Sequence, residues 1–476
     1  MIDKLKSLSK DTLIYGISTV ISRSLSFLLV PFYTRIFPVN DFGYISTIFS
    51  YIAILNVIFS LGLESGYFKF SSTLEVGTKE ENFTHPFLAV TLNSFLLSTI
   101  LFFSPVFFAG VFQIPENYSY LLKFTALILF FDALTLIPFA KLRLERKSKK
   151  FGIIKIINII VNVSMNFLLV FYFKMGIEAV LIANLIASIV TFLILFPIVT
   201  KNFTAKFNKI LTKELFFFSL PVLPSGISLN IIQVIDRPIM LFLAGSTMVG
   251  IYQANYRLGV FMMLFVGVFD FAWRPFFLSN ANSPDAKQLF SKVMTLFILA
   301  GTVIFLTLSV FLDEIILLIG KNYRSGSFIV PVVLFAYLFN GIYINLMAGI
   351  YIKKKTKHVA IVTFIAAAAN VIFNFTLIPL MGMMGAALAT LISYLIMAGG
   401  LYIYSQKNYP VQYEIKKIVL IFISVLSIYG AFSLISNYIL IPFYFKIFFV
   451  LIYLFMIFGF KILDINNIKR MISAKA

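Results

Sequence analysis

Four of the nine arginines in this chain, Arg23, Arg237, Arg257 and Arg274, fall inside long apolar runs, against only three of its thirty lysines. A guanidinium is a planar fork of donors that matches phosphate oxygens two at a time, whereas an ammonium is a compact, strongly hydrated charge. Charge inside a bilayer is costly and marks function by default. Arg23, Arg237 and Arg257 each stand within about ten residues of one end of their runs, hence roughly 10–15 Å below one surface at 1.5 Å per residue. Thr19, Ser22 and Ser26 share a face with Arg23, and Gln253 precedes Arg257 by one helical turn. These residues suit a cavity that holds an anion. The competing reading is an ion pair with a neighbouring helix. Arg274 follows Asp270 by four residues, so a local pair and a binding role are equally open there.

Four acids also fall inside apolar runs: Glu64, Asp132, Asp236 and Asp270. A buried carboxylate can trade a proton or sodium ion for conformational change, or it can neutralise an arginine. Asp236-Arg237-Pro238 belongs to a run that also holds Pro221 and Pro224, where kinks are expected. Asn158, Asn162 and Asn166 form a stripe, and Asn370 and Asn374 repeat part of it. Amides of this kind bond helix to helix in membranes, or they form a wall for glycan hydroxyls; Gln253 belongs with them.

Other chemistry is excluded by composition. With no Cys there are no thiol nucleophiles, disulfides or Cys-based metal sites. The two histidines, His85 and His358, fall in polar connections. No catalytic residue, metal site or cofactor is expected, and the chain does not read as an enzyme.

The elements that position these residues are membrane helices. Hydrophobic residues make up 60% of the 476 and charged residues 12%, against roughly 25% charged in soluble domains. A spanning helix needs about 20 mostly apolar residues. Fourteen runs qualify: 12–33, 43–68, 86–110, 119–140, 152–173, 179–200, 214–244, 249–280, 293–311, 328–352, 359–379, 385–404, 418–436 and 443–460. Lysine and arginine in alternate connections divide 28 to 4. The positive-inside rule then places both termini in the cytoplasm. The net charge of +20 is accounted for by this bias, with anionic lipid rather than nucleic acid as its partner.

The chain also repeats itself. Pro31 and Pro238 are 207 residues apart, as are Gly43-Tyr44 and Gly250-Ile251. Asn162-x-x-x-Asn166-Phe167 recurs as Asn370-x-x-x-Asn374-Phe375 at 208, and Met175-Gly176 as Met381-Gly382 at 206. An offset of six helices makes the repeats parallel, related by an axis along the membrane normal. The expected architecture is all-α and polytopic: a six-helix lobe over 1–205, a second over 206–410, and two further helices over 411–476. A substrate cavity is expected between the lobes.

Phe32-Tyr33-Thr34-Arg35-Ile36-Phe37 leading to Asp41-Phe42-Gly43-Tyr44 resembles the first external turn of Wzx-type polysaccharide flippases. Leu61-Gly62-Leu63-Glu64-Ser65, Asp236-Arg237 with Gly250-Ile251-Tyr252, and Ile378-Pro379 with Gly382-Met383-Met384-Gly385 are similar to theirs. The resemblance covers essentially the whole chain. It implies a member of the polysaccharide branch of the multidrug/oligosaccharidyl-lipid/polysaccharide exporter superfamily. Such a protein moves an undecaprenyl-diphosphate-linked oligosaccharide to the outer leaflet of the bacterial inner membrane by alternating access. Proton or sodium coupling is open, and a polysaccharide polymerase and chain-length regulator are candidate partners. A peptidoglycan-precursor flippase and a drug/cation antiporter are the alternatives; a membrane polymerase or glycosyltransferase would need a larger extramembrane loop.

Overall fold

The computed structural model describes residues 29–460, all of whose regular structure is helical. Twelve helices among them are long and apolar enough to cross a membrane, and Phe443–Gly459 is a shorter apolar one. The chain is a multi-pass membrane protein. The first expected run, 12–33, is described only from Leu29, and Arg23 lies outside the described residues.

The helices relevant to the site are α1 (Val39–Ser60), α2 (Leu63–Thr73), α3 (Lys79–Phe103), α4 (Leu121–Leu144), α5 (Ser148–Asn166) and α6 (Glu178–Asn202) in the first half of the chain. Local chemistry sets their ends. Thr78 and Glu81 form a reciprocal capping box that starts α3, satisfying backbone donors that would otherwise be orphaned. Ser104, forced out of helical geometry by Pro105, ends it. Immediately after Asn166 the fifth span widens into a π-helical stretch, Phe167–Tyr172.

The seventh span is broken as its prolines require. It consists of α7 (Lys209–Ser219), a 3-10 turn at Leu220–Val222, α8 (Leu223–Val234) and α9 (Asp236–Ala244). Pro238 lacks the N–H that would have reached the carbonyl of Val234, so the helix restarts at Asp236. The eighth span is likewise divided, into α10 (Ser246–Tyr256) and α11 (Val260–Asn280), with Arg257 in the turn between them.

Helix α1 crosses α10 at the face opposite the lysine-rich connections. Gly43 meets the carbonyl of Ser246, and Gly250 meets that of Val39. Both positions need glycine because a Cβ would occupy the space of the facing backbone. The segment after α12 (Ala286–Val310) completes this seal. There the Gly320 N–H donates to Thr34 Oγ1 at 3.0 Å, and the Tyr323 hydroxyl to the carbonyls of Phe37 at 2.8 Å and Pro38 at 3.1 Å. At the lysine-rich face, α2 packs on α7, with Gly66 against Ser219.

The remaining spans are α13 (Val330–Ile352), α14 (Lys357–Met381), α15 (Met383–Asn408), α16 (Ile415–Ser436) and α17 (Phe443–Gly459). Lys446 is buried and paired with Asp313 at 2.8 Å and Glu314 at 3.0 Å. The histidines also depart from expectation, since both belong to helices, His85 in the second turn of α3 and His358 in the opening turn of α14. The Nε2 of His85, on α3, accepts from the Asn208 N–H at 2.7 Å, and His358 stacks on Tyr404.

Candidate functional site: a two-chamber cavity beneath the seal

Two adjoining cavities lie in the helix bundle and share Asn162 and Asn184. The one beneath the seal, about 370 Å³, is lined from both halves by Tyr33, Ser46, Asn162, Gln253 and Arg257. The other, about 510 Å³, is built by the first half alone and includes Glu64, Asp132, Arg143, Lys155 and Asn158.

Arg257 supplies the cationic side chain of the upper chamber. Among the described residues no carboxylate pairs with it and no hydrogen-bond acceptor reaches it. It projects from the turn that interrupts the eighth span, and Gln253 lines the same wall one turn earlier.

Arg237 sits behind that wall. Its Nη1 donates to Asp236 Oδ1 at 2.6 Å and to the Gln233 carbonyl at 2.5 Å, and its Nε donates to Gln253 Oε1 at 2.9 Å. The guanidinium carbon lies 4.1 Å from the ring centre of Tyr256. Asp236 is equally enclosed, with its Oδ2 accepting from the Tyr252 hydroxyl at 2.5 Å. These two residues are 4% and 1% exposed, so the expected cavity-lining position belongs to Arg257 and not to Arg237. The physical reason is the local pair: adjacent opposite charges at a helix restart neutralise each other and can be enclosed together.

In the lower chamber, Asp132 Oδ1 accepts from the Ser188 hydroxyl at 2.6 Å, and Glu64 pairs with Arg143. The Lys155 ammonium lies 4.4 Å from the ring centre of Phe139. Asn158 donates to the Ala187 carbonyl at 3.1 Å and Thr191 Oγ1 at 2.9 Å. Asn166 donates to the Asn162 carbonyl at 2.9 Å and accepts from the Tyr33 hydroxyl at 2.7 Å, holding the stripe to the first span.

The second half copies this detail but not its setting. Asn374 donates to the Asn370 carbonyl at 2.8 Å, yet both are fully buried outside the two chambers. They bond within a helix interface, where Asn370 reaches the Ala389 carbonyl. Arg274 donates to Asp270 at 2.8 Å as an i,i+4 pair beside a separate small pocket. Neither belongs to the two-chamber site.

The sequence analysis did not single out Lys155 or Arg143, which the structure places in the lower chamber. Lys155 precedes Asn158 by three residues and so extends the polar stripe, which was the available signal. Nothing local in the sequence marks Arg143, whose place depends on the approach of Glu64 from another span.

Comparison with known proteins agrees with this architecture. The lipid II flippase MurJ in an inward closed conformation superposes with a TM-score of 0.76 over 93% of this chain and 98% of that one, at 20% identity. An inward-facing multidrug resistance MATE family transporter of the MOP superfamily gives 0.61 over 85% and 93%, at 11% identity. An outward-facing one also gives 0.61, over 84% and 95%, at 12% identity. The fold is therefore the one that these flippase and transporter structures share.

Within it, residues 8–281 match the family described as polysaccharide biosynthesis protein, and the chain is a member of that family. An uncharacterized membrane protein of Methanocaldococcus jannaschii is 32% identical over 165 residues. That match takes in 33% of this chain and about a third, 32%, of the curated relative's length.

Proposed function

We propose that the protein is a flippase for an undecaprenyl-diphosphate-linked oligosaccharide. It would move this lipid from the cytoplasmic to the outer leaflet of the bacterial inner membrane during synthesis of O-antigen, capsule or exopolysaccharide. The observation that carries the reading is Arg257, a guanidinium with no carboxylate partner among the described residues, in a cavity lined by both halves of the chain. In a water-poor cavity a guanidinium engages phosphate oxygens through charge-assisted bonds of about 1.5–3 kcal/mol each. The diphosphate would sit at Arg257 and Gln253, the first sugars would extend along Asn162 into the lower chamber, and the polyprenyl tail would remain in lipid.

The lysine-rich face is taken as cytoplasmic, with both termini there. The sealed crossing of α1 and α10 then closes the cavity toward the outside, and alternate opening of that seal and the opposite face would carry the head group across. This uses 1–205 and 206–410 as the moving lobes. Coupling to protons or sodium is assigned to Asp132, which borders the lower chamber, rather than to Asp236, which is enclosed. A polysaccharide polymerase and chain-length regulator would take up the product.

Among the described residues the upper chamber is lined by an arginine and no acid, which disfavours a cationic drug. A peptidoglycan precursor carries the same diphosphate. Native mass spectrometry of the purified protein, offered undecaprenyl-diphosphate oligosaccharide and lipid II in competition, separates the two. Preferential retention of the oligosaccharide lipid is expected, and preferential retention of lipid II would replace it with the peptidoglycan reading.

A further inference from the structure

We infer that Arg237 is a positioning residue that locks the Gln253 amide, so that Gln253 faces the ligand as a hydrogen-bond donor only. The inference rests on the diphosphate reading of the upper chamber. A free glutamine presents a carbonyl oxygen and an NH2 group, and by turning over it can read either an acceptor or a donor. Here that freedom is removed. Arg237 Nε lies 2.9 Å from the Gln253 side chain, and a guanidinium has donors and no acceptor. The amide atom facing it must therefore be the oxygen, whichever way round the two amide atoms are drawn.

Arg237 cannot yield, because Asp236 Oδ1 and the Gln233 carbonyl hold its Nη1 and Tyr256 covers its face. Asp236 is held in turn by the Tyr252 hydroxyl. The Gln253 nitrogen is left without an acceptor among the described residues, on a side chain that lines the same cavity as Arg257. Two fixed N–H donors beside a guanidinium make a surface that accepts anionic oxygens and offers nothing to a ligand that can only donate. An arginine too enclosed to touch substrate thus sets the specificity of the wall in front of it.

The test is a double-mutant cycle on the full-length protein in detergent, with farnesyl diphosphate as the probe and calorimetric affinity as the readout. Loss of one hydrogen bond to a charged ligand weakens binding about tenfold. Gln253→Leu should show that loss, and so should Gln253→Glu, which keeps an acceptor toward Arg237 but removes the donors. Arg237→Gln frees the amide to turn and should weaken binding severalfold, yet add nothing in the Gln253→Leu background. Independent, additive losses would overturn the positioning role, as would wild-type affinity in Gln253→Leu and Gln253→Glu. If Arg237→Gln does not fold, the two Gln253 variants still decide whether the amide is a donor to the ligand. Arg257→Ala separates the two layers. Wild-type affinity there would overturn the diphosphate site and this inference with it, whereas a loss there with wild-type affinity in both Gln253 variants would overturn this inference alone.

Discussion

Gly43 lies directly on the carbonyl of Ser246, and 207 residues later in the chain Gly250 lies on the carbonyl of Val39, the position equivalent to Ser246. The two contacts exchange partners, as residues around a twofold axis do. This crossing holds the two halves together at the face opposite the lysines.

A methyl group at either glycine must push the helices apart. Gly43→Ala and Gly250→Ala are expected to favour the state opened on that face and to slow transport. The chain has no Cys, so a Ser46→Cys variant can be labelled at a single site within the upper chamber. Labelling by a membrane-impermeant maleimide applied from outside should rise in both glycine variants. Unchanged labelling would mean that the crossing is not the gate.

Arg237 and Arg257 should fail differently. Arg237→Ala strands the carboxylate of Asp236 in the protein interior, and removing one partner of a buried pair costs about 3–5 kcal/mol. Protein abundance should fall, and Asp236→Asn with Arg237→Gln should restore it. Arg257→Ala strands no charge among the described residues, so its abundance should stay near normal while affinity for a lipid diphosphate falls roughly 10–100-fold. Arg257→Lys should recover part of this. Low abundance of both single variants on quantitative blotting would point to a structural role for each.

Acid should loosen the two C-terminal spans. Glu414 precedes α16, accepting from Thr295 Oγ1 at 2.8 Å and from Lys417 Nζ at 2.6 Å. Burial pushes its carboxyl up, but the hydrogen bonds from Lys417 and Thr295 together with the charges of Lys417 and Lys292 outweigh it and hold the group below its ordinary 4.5. A depressed carboxyl adds stability above 4.5 that is lost as pH falls through its folded value. The thermal midpoint of wild-type protein should therefore fall faster with acidification than that of Glu414→Gln. Parallel curves would exclude this contact as a source of acid sensitivity.

What the sequence made legible follows from where the information lies. The spans were readable because the bilayer demands long apolar runs. Arg257 was readable from depth and from Gln253 one turn before it. Arg237 was read as cavity-lining, whereas its enclosure depends on Tyr252 and Tyr256 arriving from the next span. The asparagine repeat was found, yet only the first copy faces a chamber, because repeated residues share local hydrogen bonds without sharing neighbours. Lys155 was missed although its register with Asn158 extends the asparagine stripe.

The most direct measurement is translocation of a fluorescent undecaprenyl-diphosphate oligosaccharide in proteoliposomes, read by accessibility to a membrane-impermeant quencher, for wild-type protein and Arg257→Ala. Wild-type vesicles should move the lipid between leaflets faster than empty ones, and Arg257→Ala, incorporated to the same level, should match empty vesicles. Flipping by Arg257→Ala at the wild-type rate would contradict a phosphate site at Arg257, and no flipping by the wild-type protein, with or without an imposed proton or sodium gradient, would contradict the flippase itself.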